Sequence, residues 1–505
     1  MSDLRKLAQF IHDITWDQLP ERVRETAALR VLDLVSVAAG AAKDPLVAAV
    51  KQALGAVSGC TVVMPHDNAG DGLPDANLER RLPDASQAAE NTAQPGFVSV
   101  WGHSRKYPLT TAAMLNAMLA HTLELDDVHT ASKTHGSASL IPAAWSCTEY
   151  LGKSGKEFLL AVVCGYETVN RVGMAFGVSA HRNRGWHATA TCGVFGCAAA
   201  CAKLLDLSVD QIVSALGMAG TQSSGVWAFL GDGSNCKILH PARAAADGIE
   251  AAFLAKAGMT GPEHIFDAKD GGLLYAMSDG GDVSKLSQGL GEVYEILNMD
   301  MKPYPCCRSA HCAIDAVLEI RRQMENGMGL KFQSKAEAEI MASQIKKIEI
   351  ATYLVGYKQC AVSEGCLHPK TILDAKFSTP YSVAAAFLYG TVSMKEFEPA
   401  VVADPLVHEL LEKVEVHPDE RFTGQYPKHW GCHMKVTMQD GMCFEAEVED
   451  PSGSVARPLS REQAMKKAEE FLAVTCPGKE QETIEALLNL DGEEKLPVIS
   501  GENTR

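Results

Sequence analysis

The run from His187 to Leu205 leaves few options for the fold. It has helical periodicity and is lined by Ala188, Ala190, Gly193, Gly196, Ala198, Ala199 and Ala200. Small side chains let helices approach closely, so this run predicts a central, tightly packed helix. Such a helix needs helical partners, and the chain supplies them. Residues 4–55 read as helices; Ala27–Val35 carries apolar positions at helical spacing, and Gly40 ends that pattern. Helices follow over 107–123, 140–151 and 157–176. Ser208 with Gln211 makes a capping box that opens a helix over 209–219, and an Ala-rich helix runs from Ala242 to Lys256. Before about residue 297 only Phe97–Trp101 reads as a short strand or an extended lead-in. Residues 66–96 break the pattern with Asp67, Asp71, Asp75, Glu79, Asp84 and Glu90 among Pro and Gly, which predicts a long surface insertion or a disordered loop.

The character changes near residue 298. Residues 345–353 alternate with a period of two from Ile348 onward, as a half-buried strand does. Met434–Met438 and Met442–Val448 flank Gln439-Asp440-Gly441, a strong hairpin signal. With helices over 311–324, 378–389 and 403–413, the stretch 298–452 reads as a smaller α/β domain. Residues 451–457 are a linker, and Ser460 with Gln463 caps a final helical segment, 461–492, that returns to the first domain. Residues 495–505 read as frayed. The expected fold is therefore mainly α with a smaller α+β domain. A helical domain (1–297) with a surface insertion at 66–96 is joined by a C-terminal segment (453–505).

The totals bound the function. The formal net charge of -17 argues against nucleic acid or an anionic membrane as partner. No run of about 18 apolar residues offers a membrane span. The 15 Cys form no CxxC pair, and Cys147, Cys164, Cys192, Cys197 and Cys201 sit in apolar helical runs. That usage predicts reduced thiols in a cytoplasmic or mitochondrial-matrix protein. An anionic substrate would need a local cationic cluster.

The chemistry concentrates first at Leu119-Ala-His121-Thr-Leu-Glu124-Leu-Asp126-Asp127-Val-His129, followed by His135. An apolar helix pattern runs straight into ionisable side chains, which are costly to bury unless paired. On a helix His121, Glu124 and Asp127 share a face, and His135 falls on a loop. Imidazoles beside carboxylates suit general acid–base work; a solvated helix end is the plain alternative.

Two further stretches are cationic. Gly231-Asp-Gly233 leads into Lys237, His240 and Arg243, basic side chains at three-residue intervals near a helix start, which suits a carboxylate. Its spacing is not that of a P-loop. Lys302-Pro-Tyr-Pro-Cys-Cys307-Arg308 runs into His311, and an Arg there can hold a carboxylate with two parallel bonds. Metal ligation by Cys306, Cys307, His311 and Cys312 ranks lower, because no paired ligand frame accompanies them. His187 enters the small-residue helix from a loop, and Tyr357 follows the strand near 345–353; both could reach a cleft.

Together these runs resemble the MmgE/PrpD family, which includes 2-methylcitrate dehydratases, cis-aconitate decarboxylases and iminodisuccinate epimerases. The matching runs are His121–Asp127 with His135-Gly-Ser137, Gly185-Trp-His187, Lys237–His240 through Glu250, and Lys302–Cys307 through His311. The resemblance implies a helical domain built from both chain ends, an α/β lid domain, a site between them, a homodimer and no required cofactor. By position it implies a site made of Glu124, Asp126 or Asp127, His135, Lys237, Arg308 or His311, and Tyr357. In mammalian-type cis-aconitate decarboxylases a site His falls where this chain has Cys307; the fungal type has paired cysteines there.

The expected activity is a cofactor-independent lyase of a small di- or tricarboxylate. His135, Asp126, Glu124, Tyr357 and Lys237 are the candidate catalytic groups. Lys237, His240, Arg308, His311, His187 and Cys307 are the candidate substrate contacts, and no metal is expected. Loss of water, loss of carbon dioxide and epimerisation all pass through a carbanion-like centre beside a carboxylate, which an acid–base pair and a cationic clamp would serve. An isomerase or epimerase of a related dicarboxylate is the alternative reading. A non-catalytic binding protein that keeps the fold is the alternative from another class.

Overall fold

The computed structural model describes residues 1–58, 96–328 and 334–500. The insertion expected over 66–96 thus lies outside the described residues, Gly96 apart. The fold is mainly α with a smaller α+β part.

Helix Ala188–Leu204 packs against Ser137–Leu151, Gly155–Phe176, Val209–Thr221 and Leu239–Lys256. Its small residues are the cause. A Cβ at Gly196 would lie 3.0 Å from the main-chain oxygen of Gly165, and one at Gly193 would lie 2.7 Å from Ser139 Oγ. Both chain ends enter this core, through Leu4, Leu7 and Ile11 at one end and Leu472, Ile484 and Leu487 at the other. Helix Arg461–Leu472 lies along helix Glu21–Gly40.

The segment expected as helical over 461–492 is two helices, Arg461–Leu472 and Glu480–Leu488. Cys476-Pro477-Gly478 separates them: Pro477 has no N–H to donate, and Gly478 sits at φ 79°. Of the tail expected to fray, residues 501–505 lie outside the described residues, and the described part, 495–500, is tied down at Ile499. Ile499 is buried, and its main-chain oxygen accepts the Gly102 N–H at 2.6 Å.

A second core gathers apolar residues between Cys306 and Ala446. Its sheet has the order Val414–Pro418, Ile345–Thr352, Cys432–Met438, Cys443–Val448; the first pair is parallel and the others antiparallel. Ile348, Ile350 and Thr352 are buried while Glu349 and Ala351 are half-buried, the alternation read from sequence. Gly441 turns the hairpin at φ 91°. Helices His311–Met328 and Thr379–Tyr389 pack together, the first also against the hairpin. The helix expected over 403–413 is only Pro405–Leu411, because Asp404 caps it at Leu406 and Val414 already belongs to a strand.

Phe97–Val98 pairs with Tyr107–Pro108, and Val128–His129 pairs antiparallel with Met299–Asp300. The second pairing has no sequence signal, since two residues are too few for alternation to register. It joins the loop after Glu124 to the entry of the second core, so that Lys302 Nζ donates to the main-chain oxygen of Glu124 at 2.9 Å. No helix among the described residues is long and apolar enough to cross a membrane.

Candidate active site

The acid–base stretch is not one helical face. Helix Leu109–Thr122 stops at Thr122, and Glu124 adopts the left-handed conformation at φ 60°. A residue with a Cβ adopts that region at a cost and only where its surroundings hold it there. Lys376 Nζ donates to Leu123 O at 2.9 Å and Lys302 Nζ to Glu124 O, so two buried lysines hold the turn by its main chain. The turn, rather than helical phase, places Glu124 beside Asp126.

Glu124 is buried and forms an ion pair with Lys237. Its Oε2 lies 4.0 Å from Lys302 Nζ. Burial would raise its carboxyl, but Lys237, His121 and Lys302 outweigh burial and hold it below the usual carboxylate range. Asp126 Oδ2 lies 2.7 Å from His121 Nδ1 and 3.3 Å from His135 Nδ1. Burial again acts to raise it, and His121, His135 and Lys302 keep it well below its ordinary value.

His135 donates from Nδ1 to the main-chain oxygen of Asp127 at 2.7 Å. Its Nε2 is therefore the basic nitrogen, and Nε2 makes no hydrogen bond to the described residues. Burial pushes the ring down to about 4, against the pull of Asp126, so it stands neutral at physiological pH. Asp127 itself turns away. Its carboxylate accepts from Ser137 Oγ at 2.5 Å and Tyr166 Oη at 2.6 Å, and burial raises it to about 6. It is a positioning group for the start of helix Ser137–Leu151.

One cavity collects most of the candidates. Glu124, His135, His187, Lys237, Cys307 and Arg308 line it, and Asp126 stands behind His135. Cys307 is held below its ordinary value by a hydrogen bond with Cys360. Arg308 enters from a short turn, Arg308–Ala310, with Nε and Nη2 on Asp300 Oδ2 at 3.0 and 2.8 Å.

Three expected contacts lie outside the cavity wall. His240 backs onto His187, Nδ1 to Nδ1 at 2.8 Å. Lys237 sits on the short turn Asn235–Ile238, ahead of helix Leu239–Lys256 that carries His240 and Arg243, so the three are not presented by one helix. Arg243 instead pairs with Asp247. His311 opens helix His311–Met328 inside the second core, where it is fully buried, with Nε2 3.4 Å from Cys306 O and its ring edge-on to Tyr304. Tyr357 is half-buried on helix Leu354–Cys360; Gln359, about 200° further round, reaches the cavity instead.

The structure adds groups that sequence reasoning missed. Lys302 and Lys376 flank Glu124, and Lys133 and Arg182 line the cavity. Lys302 opens the Lys-Pro-Tyr-Pro run, which was a usable signal. Lys376, Lys133 and Arg182 carry none. One group among the described residues brings three ligand atoms of metal-binding type within 4.8 Å of one another, namely His429, Glu449 and Asp450. His429 and Asp450 line a different pocket.

A chain with two cores and a polar cavity lined from both matches a known pair of family models. The MmgE/PrpD N-terminal domain matches residues 66–286 and the MmgE/PrpD C-terminal domain matches residues 304–491. The chain belongs to the MmgE/PrpD family and is an enzyme, a lyase of that family's type. It is 29% identical to a cis-aconitate decarboxylase-like protein of Aspergillus oryzae over 83% of this chain and 88% of that one. It is 29% identical to the cis-aconitate decarboxylase of Homo sapiens over 78% of each chain. A 2-methylcitrate dehydratase of Salmonella typhimurium is 26% identical over 59% of this chain and 60% of that one.

Proposed function

We propose that the protein is a cofactor-independent lyase of a small polycarboxylate, with decarboxylation of cis-aconitate as the first reading. One observation carries this: a neutral His135 with a bare Nε2 faces a cavity that Lys237, Lys302 and Arg308 make cationic. Breaking the bond to a carboxylate carbon leaves an electron pair beside the remaining carboxylates. Fixed cations stabilise that charge, and a positioned imidazole delivers the proton that ends the reaction. A bound polyanion adds negative charge next to the ring, which favours its protonated form. Lys237 takes the role of carboxylate ligand, with Glu124 holding it in place. Asp126 orients His135 and stabilises it when charged.

Dehydration of 2-methylcitrate is the second reading, favoured by the match to the Salmonella dehydratase. There Nε2 would act first as base, on the carbon beside a carboxylate. The test is to treat the purified protein with a chelator and incubate it with cis-aconitate, 2-methylcitrate, citrate and trans-aconitate, following product by mass. Loss of carbon dioxide from cis-aconitate at an undiminished rate is expected. Loss of water from 2-methylcitrate alone selects the second reading. Activity that returns only with iron or zinc overturns the cofactor-free claim.

A further inference from the structure

Two cations in the cavity have no task in the chemistry above. Lys133 Nζ sits 4.9 Å from the ring centroid of Tyr426 and 5.1 Å from that of Trp430. Arg182 Cζ sits 4.4 Å from that of Trp227. Neither has a carboxylate partner within ion-pair distance among the described residues. Each is therefore held on an aromatic face, which fixes its position but does not neutralise it. The charged or polarisable groups that act on Lys133 are Cys307, Arg182 and Cys360, and Cys307 also acts on Arg182. Both cations line the same cavity as Cys307. Nearby, Arg308 bonds Asp300 through Nε and Nη2 while its buried Nη1 has no partner.

This pole is separate in function from the other cations. Lys237 pairs with Glu124, and Lys302 and Lys376 hold the turn at residues 123–124. The cavity therefore has cations committed to Glu124 and its turn, and two others, Lys133 and Arg182, that no carboxylate of the described residues neutralises. Two unpaired cations in a partly desolvated wall repel each other, and burial together with Arg182 draws Lys133 down to about 8. A ligand anion between them would remove both penalties.

We propose that Lys133 and Arg182, with Nη1 of Arg308, form a subsite for a second, non-reacting carboxylate of the substrate, and so select tricarboxylates over dicarboxylates. This rests on the polycarboxylate reading, and it gives a part to Lys133 and Arg182, to which that reading assigns none, beside the Arg308 it already uses. The subsite needs no bond to form or break, so it can be tested by binding alone. Tricarballylate, which is unreactive, and methylsuccinate, which lacks one of its carboxylates, are the probes. Their dissociation constants are measured by calorimetry on the wild-type protein and on Lys133→Met, Arg182→Met and Lys133→Arg.

The wild-type protein is expected to favour tricarballylate by about tenfold or more, the usual worth of a charge-assisted bond. Each Met variant should cut that preference to within about threefold and leave methylsuccinate within about twofold of wild type, while Lys133→Arg keeps most of it. A preference that persists in both Met variants overturns the subsite. So do equal losses for both ligands, and so does a wild-type protein that binds the two alike. If tricarballylate follows the expected pattern while neither cis-aconitate nor 2-methylcitrate is turned over, the subsite stands and both substrate readings fall.

Discussion

His135 gives its Nδ1 hydrogen to the main-chain oxygen of Asp127 at 2.7 Å. That bond fixes the tautomer, and burial keeps the ring neutral down to about 4. A neutral imidazole reacts with diethyl pyrocarbonate; a protonated one does not. Because the pKa is lowered, the reactive form persists as pH falls and is lost only near pH 4. Inactivation at about pH 5 should therefore run nearly as fast as at about pH 7, after correction for reagent decay. An ordinary imidazole, with a value of 6.5, would lose most of that rate, and such a loss would contradict the assignment.

Lys237 and Glu124 form an ion pair with both side chains buried. Removing one partner of a buried pair leaves a charge in low dielectric. Lys237→Ala should cost about 3 kcal/mol of stability, the low end of the usual range because Lys302 and Lys376 remain near Glu124. Adding Glu124→Gln should recover most of that stability but none of the activity. Urea unfolding of the three proteins checks this, and a Lys237→Ala protein as stable as wild type would sink it.

Lys467 reaches the site from the C-terminal segment without entering the cavity. Its Nζ lies 2.7 Å from Asp33 Oδ1 and donates to the main-chain oxygens of Lys302 at 2.9 Å and Leu125 at 3.3 Å. It ties together the two loops that carry Lys302 and Glu124. Lys467→Met should lower kcat about tenfold or more through small displacements, with KM changed by less than about threefold. Lys467→Arg should restore part of the loss. Unchanged kcat in the Met variant would remove Lys467 from the positioning role.

Gly248 on helix Leu239–Lys256 faces helix Ala188–Leu204 with no room for a side chain. A Cβ there would lie 2.8 Å from Val194 O and 2.9 Å from Ala198 N, and closer still to Cys197 Cβ. Two of these atoms are main chain and cannot step aside. Gly248→Ala should destabilise the protein by about 1–3 kcal/mol, read as a lower melting temperature.

Much of the helical framework was legible because its signals are local. Ser208 with Gln211 caps a helix as read, the Asp440-Gly441 hairpin forms, and the small residues of Ala188–Leu204 pack as their size implies. The candidate residues were harder. His135, Glu124 and Lys237 are named by their runs, and Asp126 by its neighbours. The structure puts Tyr357, His240 and His311 outside the cavity wall, because sequence spacing does not say which face of a helix looks into the cavity. Lys376, Lys133 and Arg182 stayed hidden because each comes from a separate loop or helix, and only the tertiary fold brings Lys133 and Arg182 to the cavity and Lys376 to the turn at Glu124. The pairing of Val128–His129 with Met299–Asp300, which helps set that wall, is two residues long.

His135 is the group proposed to move the proton. The most direct test compares His135→Ala with wild type for turnover of the preferred polycarboxylate and for tricarballylate affinity. Turnover should fall about 10²–10⁴-fold, the usual loss for a positioned acid–base group, while tricarballylate binds within about threefold of wild type. A His135→Ala protein that keeps near-full turnover would contradict the account.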